Sequence, residues 1–176
     1  MFSLKITAFA VVVLFLPTIA EAAKLKKGTV STPIAETSVV EWPQNYDTSE
    51  SIKVYQNASN YIGLQARENT KTLKTIINVD PLSTPWCAAF VNAILGRTGK
   101  EGTNSLAAVS FASYGKNVKE PQKGDIVVFK NHVGFYDSFI YKDGEKYVGV
   151  LGGNQKKAVR ISFYRASKVI AYRRVV

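Results

Sequence analysis

The sequence predicts an α+β domain in which N-terminal helices pack on a C-terminal antiparallel β-sheet. Two observations predict it. Residues 51–113 carry apolar side chains at helical spacing, and residues 126–172 carry a run of short apolar strands joined by tight turns. Helices first and strands afterwards, with connections too short for crossover helices, give an antiparallel sheet with its helices segregated to one side. A chain of 176 residues that is 46% hydrophobic supports one such domain with a sizeable core.

In chain order, residues 1–22 are set apart. Lys5 is a basic start, Ile6 to Ile19 are apolar apart from a break at Pro17, and Ala20-Glu21-Ala22 fits the small-x-small cleavage rule. A signal peptide is expected, with the exported chain beginning at Ala23 and residing in the periplasm or outside the cell. The rival, an uncleaved anchor, needs about 20 apolar residues, more than this run supplies. No stable membrane insertion is expected after cleavage. Residues 23–50 hold Lys, Thr, Ser and Pro without hydrophobic periodicity and read as a linker or arm. Trp42 either pins that arm to the domain or starts its first element.

The domain is expected over residues 51–176. Ile52, Tyr55 and Ser59 lie along one helical face, and Gly63 interrupts before a second amphipathic helix from Leu64 to Ile77 through Ala66, Leu73 and Ile76. The third helix starts at Cys87 after a turn-rich run, Asp80-Pro81-Leu82-Ser83-Thr84-Pro85, because residues before proline avoid the helical region. Its body, Ala88 to Leu95, is almost wholly apolar and so is expected to be buried on most sides. A shorter helix follows at Ser105 to Ser113 after the cap signals Thr103-Asn104-Ser105. Strands are expected at Ile126–Phe129, Val133–Ile140, Tyr147–Leu151, Val159–Phe163 and Val169–Tyr172, with Asp143-Gly144 as a hairpin turn.

Three polar features stand at the edges of these apolar elements. Cys87, the single cysteine, opens the third helix; His132, the single histidine, opens a strand; Asn154 and Gln155 follow another. The first turn of a helix offers free N–H groups and the positive dipole end, which lower a cysteine pKa from ~8.5 into a range of about 3.5–7.5. A helix N-terminus packed on a sheet can bring a cysteine opposite residues of two neighbouring strands. Nucleophile, base and orienting amide are the parts of a Cys-His-Asn triad. Plainer roles exist for each: a buried free cysteine, a surface histidine at a turn, a Gly-Gly-Asn-Gln hairpin. Trp86 reads as core or pocket wall, and Asp125 as a turn residue.

The motifs that occur in order are Pro85-Trp86-Cys87-Ala88-Ala89-Phe90-Val91, Gly102-Thr103-Asn104-Ser105-Leu106-Ala107-Ala108, Pro121-x-x-Gly124-Asp125-Ile126-Val127-Val128-Phe129, His132-Val133-Gly134-Phe135-Tyr136 and Leu151-Gly152-Gly153-Asn154-Gln155. Together they resemble the NlpC/P60 and CHAP superfamily of papain-like cysteine hydrolases, in particular a CHAP-like branch with the Gly-Gly-Asn-Gln element. The resemblance covers about residues 52–176 and implies a papain-like fold and peptidoglycan hydrolysis, as an amidase or an endopeptidase. By matching position, Cys87 resembles the nucleophile, His132 the general base and Asn154 the third, orienting residue, with Gln155 as its substitute. Two positions depart from the pattern. Many CHAP domains carry an acidic residue where Gly152 stands, which leaves the third residue open, and Asn131 precedes His132 where glycine or an acidic residue is expected.

The implied chemistry is acyl transfer through a Cys87 thiolate, with a backbone N–H at the helix start binding the oxyanion. No cofactor and no metal are expected, since one Cys and one His do not make a typical zinc site. The net charge of +10, unchanged by loss of Lys5 with Glu21, suits an anionic wall. Nucleic acid is not expected, because the basic residues are scattered and form no basic helix, finger spacing or RNP-like motif. Two rivals stand beside the hydrolase: a transferase or deamidase on the same fold, and a non-catalytic wall-binding module. Nothing in the sequence points to an immunity protein or other protein partner.

Overall fold

A computed structural model of the chain describes residues 48–176, with side chains from Glu50 onward. The expected signal peptide (1–22), Trp42 and most of the expected arm (23–50) lie outside the described residues. The arm's last residues belong to the first helix.

That helix, α1, runs Thr48–Ser59. It buries Ser51, Val54 and Ala58 rather than the expected face of Ile52, Tyr55 and Ser59, and Tyr55 is only partly buried. Small side chains win because the helix is pulled close to the chain. A Cβ on Gly124 would sit 1.8 Å from the Ser51 carbonyl oxygen, so only glycine fits there, with φ of 92°. The Ser51 hydroxyl donates to buried Asp125 at 2.9 Å. Asp125 also accepts from the Gln122 N–H at 2.8 Å and from Arg174 at 3.2 and 2.9 Å. It therefore ties α1 to the last strand, well beyond a turn role.

The second helix, α2, covers only Thr70–Ile77 and buries Leu73 and Ile77. It starts later than Leu64 because the sheet edge captures the preceding backbone. Gly63 N–H donates to Val159 (2.9 Å), Val159 N–H donates to Leu64 (2.9 Å), and Ala66 N–H donates to Lys157 (2.8 Å). Asn78, left-handed at φ 54°, ends α2 by returning its N–H to Lys74. The third helix, α3 (Cys87–Arg97), starts at the expected residue, and Ala88, Phe90, Val91, Ile94 and Leu95 are fully buried. Asn92 on α3 bonds Ser105 O at 2.9 Å and accepts the Thr103 N–H at 2.8 Å, fastening the 102–105 segment to the helix.

The expected helix at 105–113 is a 3-10 turn, Ala108–Ser113. Hydroxyls here compete for the backbone: Ser105 Oγ takes the Ala107 N–H at 3.1 Å, and Ser110 Oγ donates to Ala107 O at 2.7 Å.

Six antiparallel strands follow: β1 (Lys116–Val118), β2 (Ile126–Val128), β3 (Val133–Lys142), β4 (Glu145–Gln155), β5 (Ala158–Arg165) and β6 (Ala171–Arg174), in the order β1-β6-β2-β3-β4-β5. The architecture is α+β with helices and an antiparallel sheet, as the sequence predicts. β1 was not expected, since its three residues Lys-Asn-Val carry no apolar alternation. The last expected strand begins two residues late, after a 3-10 turn at Ala166–Lys168.

Both faces of the sheet carry buried side chains. Ile126, Val128, Val133, Phe135, Leu151 and Val159 join the core of the helices. Val127, Phe129, Val148 and Val150 form a second cluster, flanked by Tyr136, Phe139, Tyr164, Val169 and Tyr172.

Candidate active site

Cys87 is the first residue of α3, preceded by Trp86 at φ −117°, ψ 17°, which is outside the helical region. The turn-rich run before it forces the chain to enter the helix here. The thiol is buried, with 6% of the residue exposed. Backbone N–H groups of Val133, Ala88 and Cys87 itself favour its ionised form, but burial is the larger effect and pushes the thiol up. The lowered cysteine pKa expected from the helix start is therefore not found; desolvation outweighs the helix end.

The Val133 contact fixes where the sulfur sits. Val133 opens β3, so the sulfur lies against the strand entry that His132 immediately precedes. His132 is held there by a tight connection in which Phe129 N–H donates to His132 O at 2.8 Å. Its ring lies among aromatics, 5.3 Å from the Tyr164 ring and 6.2 Å from Phe129. Its Nε2 is buried and has no hydrogen-bond partner. Burial drives the imidazole pKa down to about 4, and the Gln155 amide pulls less strongly the other way.

Asn154 and Gln155 end β4, and the geometry separates them. A Cβ on Gly152 would lie 3.3 Å from His132 Nε2 and 3.3 Å from Gln155 Nε2, so Gly152 faces the imidazole and Gln155 does too. Strict alternation from Val150 and Gly152 would put Asn154 on that face. The β4–β5 register shifts between Gly152 and Gln155, and Asn154 takes a left-handed φ of 59°. That extra residue swings Gln155 onto the face of His132. Asn154 is half-buried, and it does not reach His132 Nε2, which has no hydrogen-bond partner. An acidic side chain at position 152 would lie directly against His132 and Gln155.

Gln155 is 3% exposed and tightly specified. Its Nε2 donates to the carbonyls of Val150 (3.0 Å), Gly152 (3.1 Å) and Arg160, which fixes the amide orientation. Its Oε1 accepts the Tyr164 hydroxyl at 2.7 Å. Tyr164 also feels the Cys87 charge, which raises its pKa together with the larger effect of burial. Tyr164 thus joins Gln155 at the site, and its only signal in the sequence is one more aromatic in a strand. Gly153 brings strand and helix together, because a Cβ there would lie 2.5 Å from the Trp86 ring and 2.7 Å from Phe90. Trp86 is fully buried and belongs to the core.

Cys87, His132 and Gln155 thus stand at one junction of α3, β3 and β4. The sulfur meets the backbone of Val133, next in chain to His132, and the imidazole lies near the Gln155 amide across Gly152. Among the described residues no group of three or more His, Cys, Asp or Glu side chains is placed to hold a metal ion. The chain matches no protein-family model, no curated protein and no solved structure.

The depressed imidazole has a measurable consequence for stability. The unfolded chain binds a proton at His132 near its ordinary value of 6.5, whereas the folded chain resists until about 4. Stability is therefore fully present above pH 6.5 and is lost as pH falls from there towards 4, by about 3 kcal/mol for this group. Urea denaturation at pH 7 and pH 4.5 checks it. The wild type is expected to lose more stability between them than His132→Gln does; equal losses would contradict the buried neutral imidazole.

Proposed function

We propose that this chain is an exported peptidoglycan hydrolase with a papain-like fold of the NlpC/P60 and CHAP kind, an amidase or endopeptidase acting through Cys87. The observation that carries the reading is the sulfur at the start of a buried helix receiving the N–H of Val133, the neighbour of His132. The five ordered sequence motifs support the same class.

At rest the pair is neutral, a thiol beside an imidazole. As the sulfur attacks an amide carbonyl carbon, the thiol proton passes to His132. The two charges form together, so their attraction in a poorly solvated site offsets the burial that each would suffer alone. The oxygen of the tetrahedral intermediate lies toward the first turn of α3, where the backbone N–H groups have no partner within the helix. The imidazolium then protonates the leaving amine, giving a thioester on Cys87. His132 next takes a proton from water, which attacks the thioester carbon; the sulfur leaves and recovers its proton. Gln155 keeps the imidazole turned correctly, and no step requires a metal or cofactor.

A wall-binding module is the reading favoured by one observation, the burial and raised pKa of Cys87. Digestion of purified sacculi by the exported form separates the two. The hydrolase reading predicts new muropeptides from the wild type, with release lowered by about 10³-fold or more in Cys87→Ala and His132→Ala. Sacculus binding without release by the wild type, or equal release by either variant, overturns it.

A further inference from the structure

The hairpin that ends in Gln155 also forms one wall of a groove of about 680 Å³, lined by Gln65, Arg67, Glu68, Leu82, Lys156 and Lys157 among others. That volume lies within the range of small-ligand sites, about 300–1,000 Å³. Lys156 follows Gln155 directly, and Leu82 belongs to the loop that leads into Cys87. The two walls are stitched together by backbone: Ala66 N–H donates to Lys157 O at 2.8 Å, and Gln65 bridges to Ala158. The backbone therefore fixes these two walls relative to each other.

Its charge is uneven. Three cations, Arg67, Lys156 and Lys157, face one carboxylate, Glu68, and none of the three cations is in an ion pair with a described residue.

The backbone adds a second observation. Lys156 and Lys157 are both left-handed, at φ of 52° and 62°, in the two-residue turn between paired Gln155 and Ala158. That is the type I′ geometry, which strongly favours Asn-Gly or Asp-Gly. The chain uses Asp143-Gly144 where it builds its other turn of this shape, at φ of 52° and 75°. At the groove it holds two lysines in a conformation that opposes their side chains. Strained residues of this kind concentrate where a ligand is met.

We infer that this groove is the subsite for a carboxylate-bearing peptide segment of the substrate, recognised by Arg67, Lys156 and Lys157. The inference rests on the hydrolase reading of the neighbouring site. Glu68 argues for a peptide over a long polyanion: a peptide brings N–H or ammonium groups for Glu68 as well as carboxylates, whereas a phosphate polymer offers Glu68 only like charge. Leu82 offers apolar contact to a short side chain.

The test is calorimetric binding to the Cys87→Ala chain, which separates recognition from turnover. Two synthetic stem tetrapeptides of one sequence are compared, with free or amidated carboxylates, and polyglycerol phosphate serves as the competing polyanion. The free acid is expected to bind about tenfold tighter than the amide. Adding Lys156→Asn with Lys157→Gly is expected to remove that preference while raising Tm, because it relieves the left-handed lysines. Loss of binding in a more stable protein is an outcome that a merely structural role for the lysines does not produce. Equal affinity for the two peptides, binding of neither, preference for polyglycerol phosphate, or a preference that survives the double substitution overturns the inference. Binding as expected with no wild-type release from sacculi leaves the groove standing and removes the hydrolase reading instead.

Discussion

Gln155→Leu is expected to lower kcat/KM on peptidoglycan by about 10²–10³-fold, whereas Asn154→Gly leaves it within about threefold. Leucine keeps the volume but removes the amide near the imidazole, and with it the orientation proposed for His132 as base. Glycine at 154 keeps the left-handed bulge (φ 59°) and deletes a side chain that makes no hydrogen bond to His132. Tyr164→Phe should fall between them, since it removes only the hydroxyl that donates to Gln155 Oε1 at 2.7 Å. Steady-state kinetics on soluble muropeptides decides the matter. A large loss in Asn154→Gly with little in Gln155→Leu would return the third role to Asn154.

Asp125→Ala is expected to destabilise the fold by about 3–5 kcal/mol, as removal of one member of a buried ion pair generally does. The carboxylate is fully buried and accepts hydrogen bonds from Ser51, Gln122 and Arg174. Its loss leaves a helix, a turn and a strand without their common acceptor, in a place where Gly124 admits no side chain to fill the space. Urea denaturation at pH 7 measures it. Asp125→Asn, which keeps the shape and part of the bonding, should lose less; a loss below about 1 kcal/mol in Asp125→Ala would contradict the account.

The sequence carried the architecture because its signals were periodic. Apolar helical spacing up to Leu95 and short apolar strands after Ile126 each point to one kind of element, and α3 began at Cys87 because prolines and a turn left it no earlier start. The failures share a physical cause, which is that long-range partners override local pattern. Leu64 to Ala66 have helical spacing, yet the edge of β5 takes their hydrogen bonds. Ser51 and Ala58 look like poor core residues until a glycine loop approaches within contact of the helix.

The site was legible in the same measure. A single cysteine at a helix start and a single histidine at a strand start were visible in composition and turn chemistry. The order of Asn154 and Gln155 was not: Gln155 stood only as the substitute, because nothing in Gly-Gly-Asn-Gln announces the one-residue bulge that turns Gln155 to the imidazole's face. The thiol's raised pKa was also hidden, since helix position can be read from sequence and depth of burial cannot.

Cys87 is proposed to form a covalent acyl intermediate with a peptide amide. Intact mass measurement after acid quench of wild type mixed with muropeptide substrate tests it most directly, followed by mapping of the modified fragment. An acyl adduct is expected on the fragment that holds Cys87, absent in Cys87→Ala. Turnover with no adduct at any quench time, together with product release by Cys87→Ala, would contradict it.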